Sequence, residues 1–253
     1  MRVGIAGITG RMGHLLAEEA RAAGAVVAGG IAAGGTPPAG APLLPDIATL
    51  ARESDVVIDF THAAAAAGHA AALAACGTPW VLGTSGLSAS DEAAVAEAAG
   101  RIAVVYAANF SPGVALVLDL ARRMAAALPA ETYDAEIVEM HHRQKVDAPS
   151  GTAIALGRAV ASGRGVALED VAERGRDGHV GARATGGIGF AALRGGQVVG
   201  EHTLLFAAAA EHISITHRAF DRRAFAAGAV RAARWVVGRP PGLYGMPDVL
   251  GLT

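Results

Sequence analysis

The stretch that decides the fold is Arg2-Val-Gly-Ile-Ala-Gly-Ile-Thr-Gly-Arg-Met-Gly13. Its first five residues predict a short apolar strand, its last three glycines predict a tight loop, and the residues from His14 onward predict a helix. A strand, a glycine-rich loop and a helix in this order are typical of dinucleotide-binding domains, because glycine lets the backbone approach a pyrophosphate that the helix start faces. The spacing G-x-x-G-x-x-G is looser than the usual fingerprint, so an ordinary tight turn is the alternative.

The chain up to residue 110 alternates strand-like and helix-like runs. Further strands are predicted at 25–31, 56–58, 80–82 and 102–106, and helices at 46–52, 63–76 and from Ser90 onward, with Ser90 as the cap of the last one. This alternation predicts an α/β fold, a doubly wound parallel-sheet (Rossmann-like) nucleotide domain.

Polar or glycine-rich loops follow four of these strands, at 7–13, 59–62, 83–86 and 107–111. In such sheets ligands bind at the carboxyl ends of the strands, so four loops at that edge predict a site. We expect the cofactor contacts on three of the loops, from Gly7, Ile8, Thr9, Gly10, Arg11, Met12, Gly83, Thr84, Ser85, Ala107, Ala108, Asn109 and Phe110.

Beyond residue 110 the pattern changes. A helix is predicted at 113–128, then strands at 133–140, 187–194, 197–207 and 212–219, with one helix clearly placed between the first two, at 153–161. Gly195-Gly196 predicts a short hairpin turn. This region therefore predicts an α+β substrate and oligomerisation domain with a mixed sheet.

The last part of the chain returns to the first pattern. An amphipathic helix is predicted at 220–237, and we expect the Pro240-Pro-Gly-Leu-Tyr-Gly245 tail to pack back on the first domain. The expected domains are 1–110 with 221–253 for the dinucleotide and 111–220 for the substrate.

Composition narrows the class of protein. The net charge is −2 without a basic stripe, which argues against nucleic acid, and the single cysteine, Cys76, excludes an internal disulfide. No run of about 18 apolar residues lacks charge or glycine, which argues against a membrane span, and the start of the chain predicts a strand rather than a signal peptide. We expect a soluble cytoplasmic protein.

A second motif, at 136–157, carries most of the chemistry. His141, His142 and Lys145 form a cationic run, and Ser150 after Pro149 predicts the cap of an alanine-rich helix. The N–H groups at a helix start attract anions, so Ser150-Gly-Thr152 predicts a carboxylate cradle for a dicarboxylate ligand. A metal site at the histidine pair is disfavoured, because no carboxylate or cysteine stands at ligand spacing and the lysine would repel the ion.

Lys145 is the only lysine among 21 basic residues. In a chain this rich in arginine, a lysine suggests a role that a guanidinium cannot fill, such as a compact charge or a removable proton. The chance survival of a surface lysine is the alternative.

The motif Glu139-x-His-His-x-x-Lys-x-Asp-Ala-Pro-Ser-Gly-Thr-Ala153 closely resembles the signature of dihydrodipicolinate reductases, also called 4-hydroxy-tetrahydrodipicolinate reductases, of the diaminopimelate–lysine pathway. The resemblance runs nearly end to end. It includes the glycine loop, Asp59-Phe-Thr61, Gly83-Thr-Ser-Gly86, Ala107-Ala-Asn-Phe-Ser111, Gly187-Ile-Gly-Phe190 and Val199-Gly-Glu-His-Thr203.

The resemblance implies a homotetrameric enzyme that reduces 4-hydroxy-tetrahydrodipicolinate, with loss of water, to tetrahydrodipicolinate using NADPH or NADH. It implies that His141 is the acid/base residue, that His142 and Lys145 contact the substrate, and that Lys145 also donates a proton. It further implies that the backbone of Gly151 and Thr152 binds a substrate carboxylate.

Two departures from the family pattern affect the cofactor. Ala32 and Ala33 stand where acidic and basic cofactor contacts are expected, and His62 stands where the family has an arginine near the nicotinamide. Neither alanine can select between NADPH and NADH, so we predict that both are used, with at most a modest lean to NADPH through Arg11.

Two other classes stay open. One is a different nicotinamide dehydrogenase, for a sugar or a semialdehyde. A semialdehyde dehydrogenase is disfavoured because Cys76 lies in an alanine-rich helical pattern. The other class is a non-catalytic nucleotide sensor, which would not need the His-His-x-x-Lys run. The remaining histidines are more often structural or surface groups, although His202 and His217, on predicted strands of the second sheet, could help shape the site.

Overall fold

The structure, a computed structural model, describes residues 1–252. The chain divides into two compact units. The first contains residues 1–112 and the described residues from 222 onward, and the second contains Gly113–Asp221.

The first unit contains a six-stranded parallel sheet with the order β11–β5–β4–β3–β1–β2. Its strands are β1 (Arg2–Ala6), β2 (Val26–Ile31), β3 (Val56–Asp59), β4 (Trp80–Leu82), β5 (Ala103–Tyr106) and β11 (Gly242–Tyr244). Because β1 has β2 on one side and β3 on the other, the direction of winding reverses at β1. Ligands bind at the carboxyl ends of the strands beside such a switch point.

The helices of this unit form two groups, in which α1 packs against α8 and α3 packs against both α2 and α4. They are α1 (Arg11–Ala22), α2 (Ile47–Arg52), α3 (Ala63–Cys76), α4 (Ala89–Ala99), α8 (Arg223–Val236) and α9 (Met246–Leu250). Trp80 and Leu82 from the sheet pack with Leu50 and Leu73 from the second group, all fully buried. The predicted doubly wound parallel-sheet fold is confirmed.

The second unit contains a five-stranded mixed sheet with the order β10–β9–β6–β8–β7. Its elements are α5 (Pro112–Ala127), β6 (Asp134–His141), α6 (Gly151–Arg164), α7 (Leu168–Val171), β7 (Ala172–Arg174), β8 (Ile188–Arg194), β9 (Gly200–Ala207) and β10 (His212–Ala219). The central strand β6 pairs with β8 in parallel and with β9 antiparallel, which confirms the predicted mixed sheet.

One face of this sheet packs against α6. Ile137 and Phe206 from the sheet and Leu156 and Val160 from the helix are buried together. Side chains alternate along a strand, so the residues of β6 on this face are 135, 137, 139 and 141, and all four are buried. The face is apolar in its middle and turns polar at the carboxyl end of β6.

Three sequence expectations need correction. Gly195-Gly196 is not a hairpin turn, because β6 lies between β8 and β9. The cap of α4 is Ser88 rather than Ser90: the Ser88 hydroxyl accepts from the Asp91 N–H, and the Asp91 carboxylate accepts from the Ser88 N–H. That reciprocal pair satisfies two backbone groups, which Ser90 in the first turn cannot do. The region between β6 and β8 holds α7 and β7 in addition to the predicted helix.

The expected return of the C-terminal tail is confirmed, and the tail does more than pack. It supplies β11, which pairs in parallel with β5. Among residues 1–252, no helix is long and apolar enough to cross a bilayer.

Candidate active site

The glycine loop lies where β1 leaves the sheet. Gly7 has a φ of 82°, a left-handed conformation that only glycine adopts without strain. A Cβ on Gly13 would collide with the carbonyl oxygen of Gly7, so α1 and the loop approach each other through bare backbone. The cap position of α1, Gly10, has no side-chain hydrogen bond, so no side chain covers the first-turn N–H groups from that position.

The loop after β2 folds back over the glycine loop. The Thr9 hydroxyl donates to the Gly34 carbonyl at 2.6 Å, and His14 Nε2 lies 3.2 Å from the Thr36 carbonyl. The Arg11 side chain, at the first residue of α1, is exposed and forms no hydrogen bond or ion pair with the rest of residues 1–252. Its guanidinium is therefore available to an anion.

The loops after β3, β4 and β5 are tied to one another. The Gly83 N–H donates to the Asp59 carbonyl at 2.8 Å, and the Thr84 hydroxyl donates to the Thr61 carbonyl at 3.3 Å. A Cβ on Gly83 would collide with the Phe60 ring, which packs on Phe110 at 5.7 Å between ring centroids.

Beneath these loops, Asp59 is fully buried. Its carboxylate accepts from the Thr61 hydroxyl at 2.6 Å and contacts His69 Nδ1 at 2.7 Å. The loops after β3, β4 and β5 are therefore held together at one edge of the sheet, with the Asp59 hydrogen bonds at the end of β3. Ile8 and Phe110 are buried, and His62 is exposed at the cap of α3 without a side-chain capping bond.

The cationic run forms the end of β6 and the loop that follows it. The Lys145 ammonium donates to both carboxylate oxygens of Asp147, at 2.8 and 2.9 Å, and this contact lowers the pKa of Asp147. The Lys145 side chain is 20% exposed and that of Asp147 is 56% exposed. His142 alternates away from His141, as expected, and its Nδ1 is buried without a hydrogen-bond partner in the part of the chain that the structure describes.

Glu139 organises the buried side of this loop. Its side chain is 1% exposed, and its two oxygens accept four hydrogen bonds. Arg194 from β8 donates to both oxygens, at 2.9 and 2.8 Å. The Ser150 N–H donates to one oxygen at 3.2 Å, and His141 Nδ1 lies 2.5 Å from the other. Burial raises the pKa of Glu139, but the bonds from Arg194 and His141 outweigh burial and lower it overall.

The pairing with Glu139 assigns the tautomer of His141. An ionised carboxylate only accepts hydrogen bonds, so Nδ1 of His141 carries a proton and Nε2 is the nitrogen that exchanges one. Burial lowers the pKa of His141, and the carboxylate raises it again without fully offsetting burial. The imidazole is therefore largely neutral at neutral pH.

His202 from β9 completes the buried network. Its Nε2 lies 3.0 Å from the Ser150 hydroxyl, and its ring meets that of His141 edge to face at 5.1 Å. Burial lowers the pKa of His202 to about 4. The Ser150 hydroxyl also accepts from the Ala153 N–H, so it is the cap of α6, as predicted.

The predicted substrate residues thus divide into two layers. Ser150 is 2% exposed, and its N–H and hydroxyl are bonded to Glu139 and His202. These groups are therefore not open to a ligand, and Ser150 instead holds the start of α6 in place. Gly151 at the start of α6 is exposed, and Thr152 and Lys145 are partly exposed.

The sequence assigned no role to Glu139 or Arg194 and offered His202 only as a residue that could help shape the site. Glu139 had a usable signal, because it stands two residues before His141 on a strand and must share its face. Arg194 and His202 come from β8 and β9, and only sheet pairing brings them to β6.

The residues of the first unit fit a bound dinucleotide. The bare backbone between Gly7 and Gly13, the uncapped start of α1 and the free guanidinium of Arg11 provide donors for phosphate groups. Within residues 1–252, no group of three or more histidine, cysteine and acidic side chains is arranged to hold a metal ion.

A Rossmann-like sheet with a glycine loop at its switch point, in one chain with a histidine–lysine site on a mixed sheet, defines a two-domain nucleotide-dependent oxidoreductase. The chain belongs to the dihydrodipicolinate reductase family. The family model for the N-terminus matches residues 1–110, and that for the C-terminus matches residues 113–250, which confirms the resemblance drawn from the motifs.

Individual relatives agree with this assignment. The chain is 67% identical to a 4-hydroxy-tetrahydrodipicolinate reductase of Granulibacter bethesdensis and 63% identical to that of Acidiphilium cryptum, covering 100% of this chain and 97% and 98% of the relatives. A dipicolinate-bound dihydrodipicolinate reductase from Paenisporosarcina sp. TG-14 shares the fold, with a TM-score of 0.80 at 23% identity over 98% of both chains. GenD2 from gentamicin A biosynthesis, solved with NAD, has a TM-score of 0.59 at 17% identity over 100% of this chain and 90% of its own.

Proposed function

We propose that this protein reduces 4-hydroxy-tetrahydrodipicolinate to tetrahydrodipicolinate, with loss of water, in diaminopimelate and lysine biosynthesis. The single observation that carries the proposal is the loop that joins β6 to α6. It combines a carboxylate-held histidine, the only lysine of the chain and an exposed helix start. Relatives at 67% and 63% identity that carry this activity in their names support it.

The roles follow from the chemistry of the substrate, an imine with two carboxylates. The start of α6, through the backbone of Gly151 and Thr152, binds one carboxylate, while His142 and Lys145 bind the rest of the anion. Loss of the hydroxyl as water leaves a C=C bond conjugated with the imine, and a bound reduced nicotinamide would supply the hydride to the far carbon of that C=C bond, which leaves an enamine. His141 exchanges a proton at Nε2, and Lys145 holds a second proton close to the enamine that results.

The two ligands are assigned to different parts of the chain. Residues 1–110 with 221–253 bind the dinucleotide through the glycine loop and the loops at 83–85 and 107–110. Residues 111–220 bind the substrate and form the oligomer contacts. We propose a cytoplasmic homotetramer, whose assembly state light scattering of the purified protein would test.

The activity is tested by following NADPH or NADH oxidation while dihydrodipicolinate synthase supplies the substrate. Substrate-dependent oxidation at a kcat within the usual enzymatic range, about 1–10³ s⁻¹, is expected. Competitive inhibition by 2,6-pyridinedicarboxylate is also expected, because it presents two carboxylates to the same donors. No oxidation with this substrate would exclude the proposed reaction. Oxidation with a sugar or a semialdehyde instead would indicate another dehydrogenase.

Cofactor choice depends on Arg11. Ala32 and Ala33 offer neither an acid to repel a 2′-phosphate nor a base to bind it, whereas Arg11 is an exposed guanidinium on the glycine loop. Both cofactors should therefore be used, with a modest preference for NADPH from charge-assisted bonds of about 1.5–3 kcal/mol each.

The variant Arg11→Ala should erode the NADPH preference and leave kcat/KM for NADH nearly unchanged. The measurement is kcat/KM for both cofactors in both proteins. Arg21→Ala is a matched control, because Arg21 lies on the same helix but donates to the Ala39 carbonyl at 2.7 Å. A wild-type discrimination above about a thousandfold, or ~4 kcal/mol, would contradict the proposal by requiring a selecting group that Arg11 does not supply.

A further inference from the structure

Three strands meet at the buried end of the substrate site. Glu139 and His141 share a face of β6. In the sheet register, Arg194 on β8 is the partner of His141, and His202 on β9 is the partner of Glu139. Three separate stretches of sequence therefore place their ionisable groups around one carboxylate.

That carboxylate is saturated. Each Glu139 oxygen receives one bond from Arg194, and the remaining positions are taken by the Ser150 N–H and by His141 Nδ1. A buried carboxylate is costly unless it is paired and hydrogen-bonded, and here both conditions are met at 1% exposure. The arrangement leaves Glu139 no capacity to bind substrate, so its effect must pass through its partners.

The ring of His141 is held at Nδ1, which is bound to Glu139. Gly200 lies beside Nε2, where a Cβ would come within 3.0 Å of that nitrogen, so a glycine leaves the space that the ring needs. Among the groups facing this ring, Glu139 is the anion, while Lys145 and Arg194 are cations that lower the pKa of His141. His202 from β9 and His217 beyond it on β10 are neutral imidazoles, because burial lowers the pKa of each. Asp147 is bound to Lys145.

The same carboxylate also reaches the start of α6. The Ser150 N–H bond to Glu139 joins the cap of the helix to the strand that carries His141. Glu139 therefore links the start of α6 directly to the imidazole of His141.

We propose that Glu139, clamped by Arg194, is a positioning residue that keeps His141 in its Nδ1–H tautomer, with Nε2 as the proton-exchanging atom, and holds the start of α6 at a fixed distance from it. This inference rests on the proposed acid/base role of His141. Glu139 itself touches neither substrate nor cofactor.

The test compares Glu139→Gln with Glu136→Gln. Glu136 is a matched control on the opposite face of β6, since it is also a carboxylate paired with arginine, in its case Arg176 and Arg183, but it has no contact with His141. Glu139→Gln should lower kcat by about 10–10⁴-fold, the range between partners of metal-bound histidines and the aspartate that orients the histidine of a Ser-His-Asp triad. It should also move the His141-dependent limb of the pH profile to lower pH, because the anion that favours the imidazolium is gone. KM for NADH should stay near the wild-type value.

A second readout does not depend on turnover. In protein with ¹⁵N-labelled histidine, the His141 signals, identified by their loss in His141→Asn, should show the Nδ1–H tautomer in the wild type. In Glu139→Gln they should show a mixture or the other tautomer, and in Glu136→Gln they should be unchanged. If Glu139→Gln leaves a folded protein with wild-type His141 signals and pH profile, or if Glu136→Gln shifts both equally, the proposal is wrong.

The experiment also covers two other outcomes, an unfolded variant and a wild type without activity. If the single variant unfolds because Arg194 is left unpaired, the double variant Glu139→Gln/Arg194→Gln removes both charges and is measured in the same way. If the wild type reduces no substrate, the proposed function fails, while the tautomer measurement still decides the role of Glu139.

Discussion

Lys145 is the only lysine in a chain whose other basic side chains of this kind are arginines. Its ammonium forms a salt bridge with the exposed carboxylate of Asp147. A salt bridge with a half-exposed carboxylate is weak, so a substrate carboxylate can replace it at little cost. This geometry agrees with the proposed substrate role, in which the ammonium is kept in place until an anion arrives.

The residue-scale prediction concerns Lys145. Both Lys145→Ala and Lys145→Arg should lower kcat by roughly 10²–10⁴-fold, because each removes a compact charge and a transferable proton, and cofactor affinity should be unchanged. Steady-state kinetics and NADH titration measure the two effects. Near-normal activity of Lys145→Arg would mean that the residue is only a generic positive charge.

The single lysine also allows a chemical control. Acetylating reagents can modify only one side-chain amine in this protein, so mass spectrometry can follow Lys145 directly. Saturating 2,6-pyridinedicarboxylate should slow its acetylation, whereas modification of the N-terminus should keep its rate.

At the scale of helices, replacing glycine by alanine should change the free energy of unfolding in opposite directions at two positions. Gly68 lies inside α3, is exposed, and has nothing within 4 Å of a built Cβ. Gly228 lies inside α8, where a Cβ would collide with the carbonyl oxygen of Phe110. Gly68 therefore destabilises α3, and no packing contact requires a glycine there. Gly228 permits close contact between α8 and the backbone after β5.

Gly68→Ala should therefore raise the free energy of unfolding by about 0.5–1 kcal/mol, the cost of glycine in a helix. Gly228→Ala should lower it by roughly 1–3 kcal/mol or more, because neither backbone can give way. Urea unfolding measures both, and both changes fall in the same structural unit. Equal effects at the two positions would show that helix packing in this unit does not decide them.

For the whole molecule, buried histidines make stability depend on pH. The folded pKa of His202 is about 4 against 6.5 for an ordinary histidine, so between these values the unfolded chain binds the extra proton. Stability should therefore be complete above about pH 6.5 and fall as the pH drops toward 4, by at most ~3 kcal/mol from this residue. Glu136 and Glu139 have pKa values below the 4.5 of an ordinary glutamate. Their contributions to stability are therefore present above about pH 4.5 and are lost as the pH falls below it.

His202→Gln tests this dependence. Glutamine cannot be protonated but can still bond to the Ser150 hydroxyl, so the slope of unfolding free energy against pH between about 6.5 and 4 should become flatter. Urea unfolding at a series of pH values gives the slope. His179→Gln, at an exposed position, is the control, and an unchanged slope in His202→Gln would contradict the assignment.

Much of this protein follows from local sequence. The glycines of the 7–13 loop, like the strand before it and the helix after it, depend only on residues close in sequence. The Rossmann-like fold class was therefore predictable. The signature from Glu139 to Ala153 likewise identifies the family, and Ser150 before an alanine-rich run predicts the cap that the structure contains. The cap of α4 is also local, but its capping box pairs Ser88 with an aspartate, Asp91, rather than with the usual glutamate or glutamine, so the pattern favoured Ser90.

The remaining features depend on which strands become neighbours, which sequence spacing does not record. Gly195-Gly196 looks like a hairpin turn, yet β6 lies between β8 and β9 because it buries its apolar face against α6 in the centre of the sheet. That same insertion brings Arg194 from one side and His202 from the other to the ends of Glu139 and His141. The sequence by itself determined the fold class, the family and the reactive loop. Only the tertiary structure decided what surrounds His141, since hydrogen bonds between residues 55 positions apart exist only once the sheet has formed.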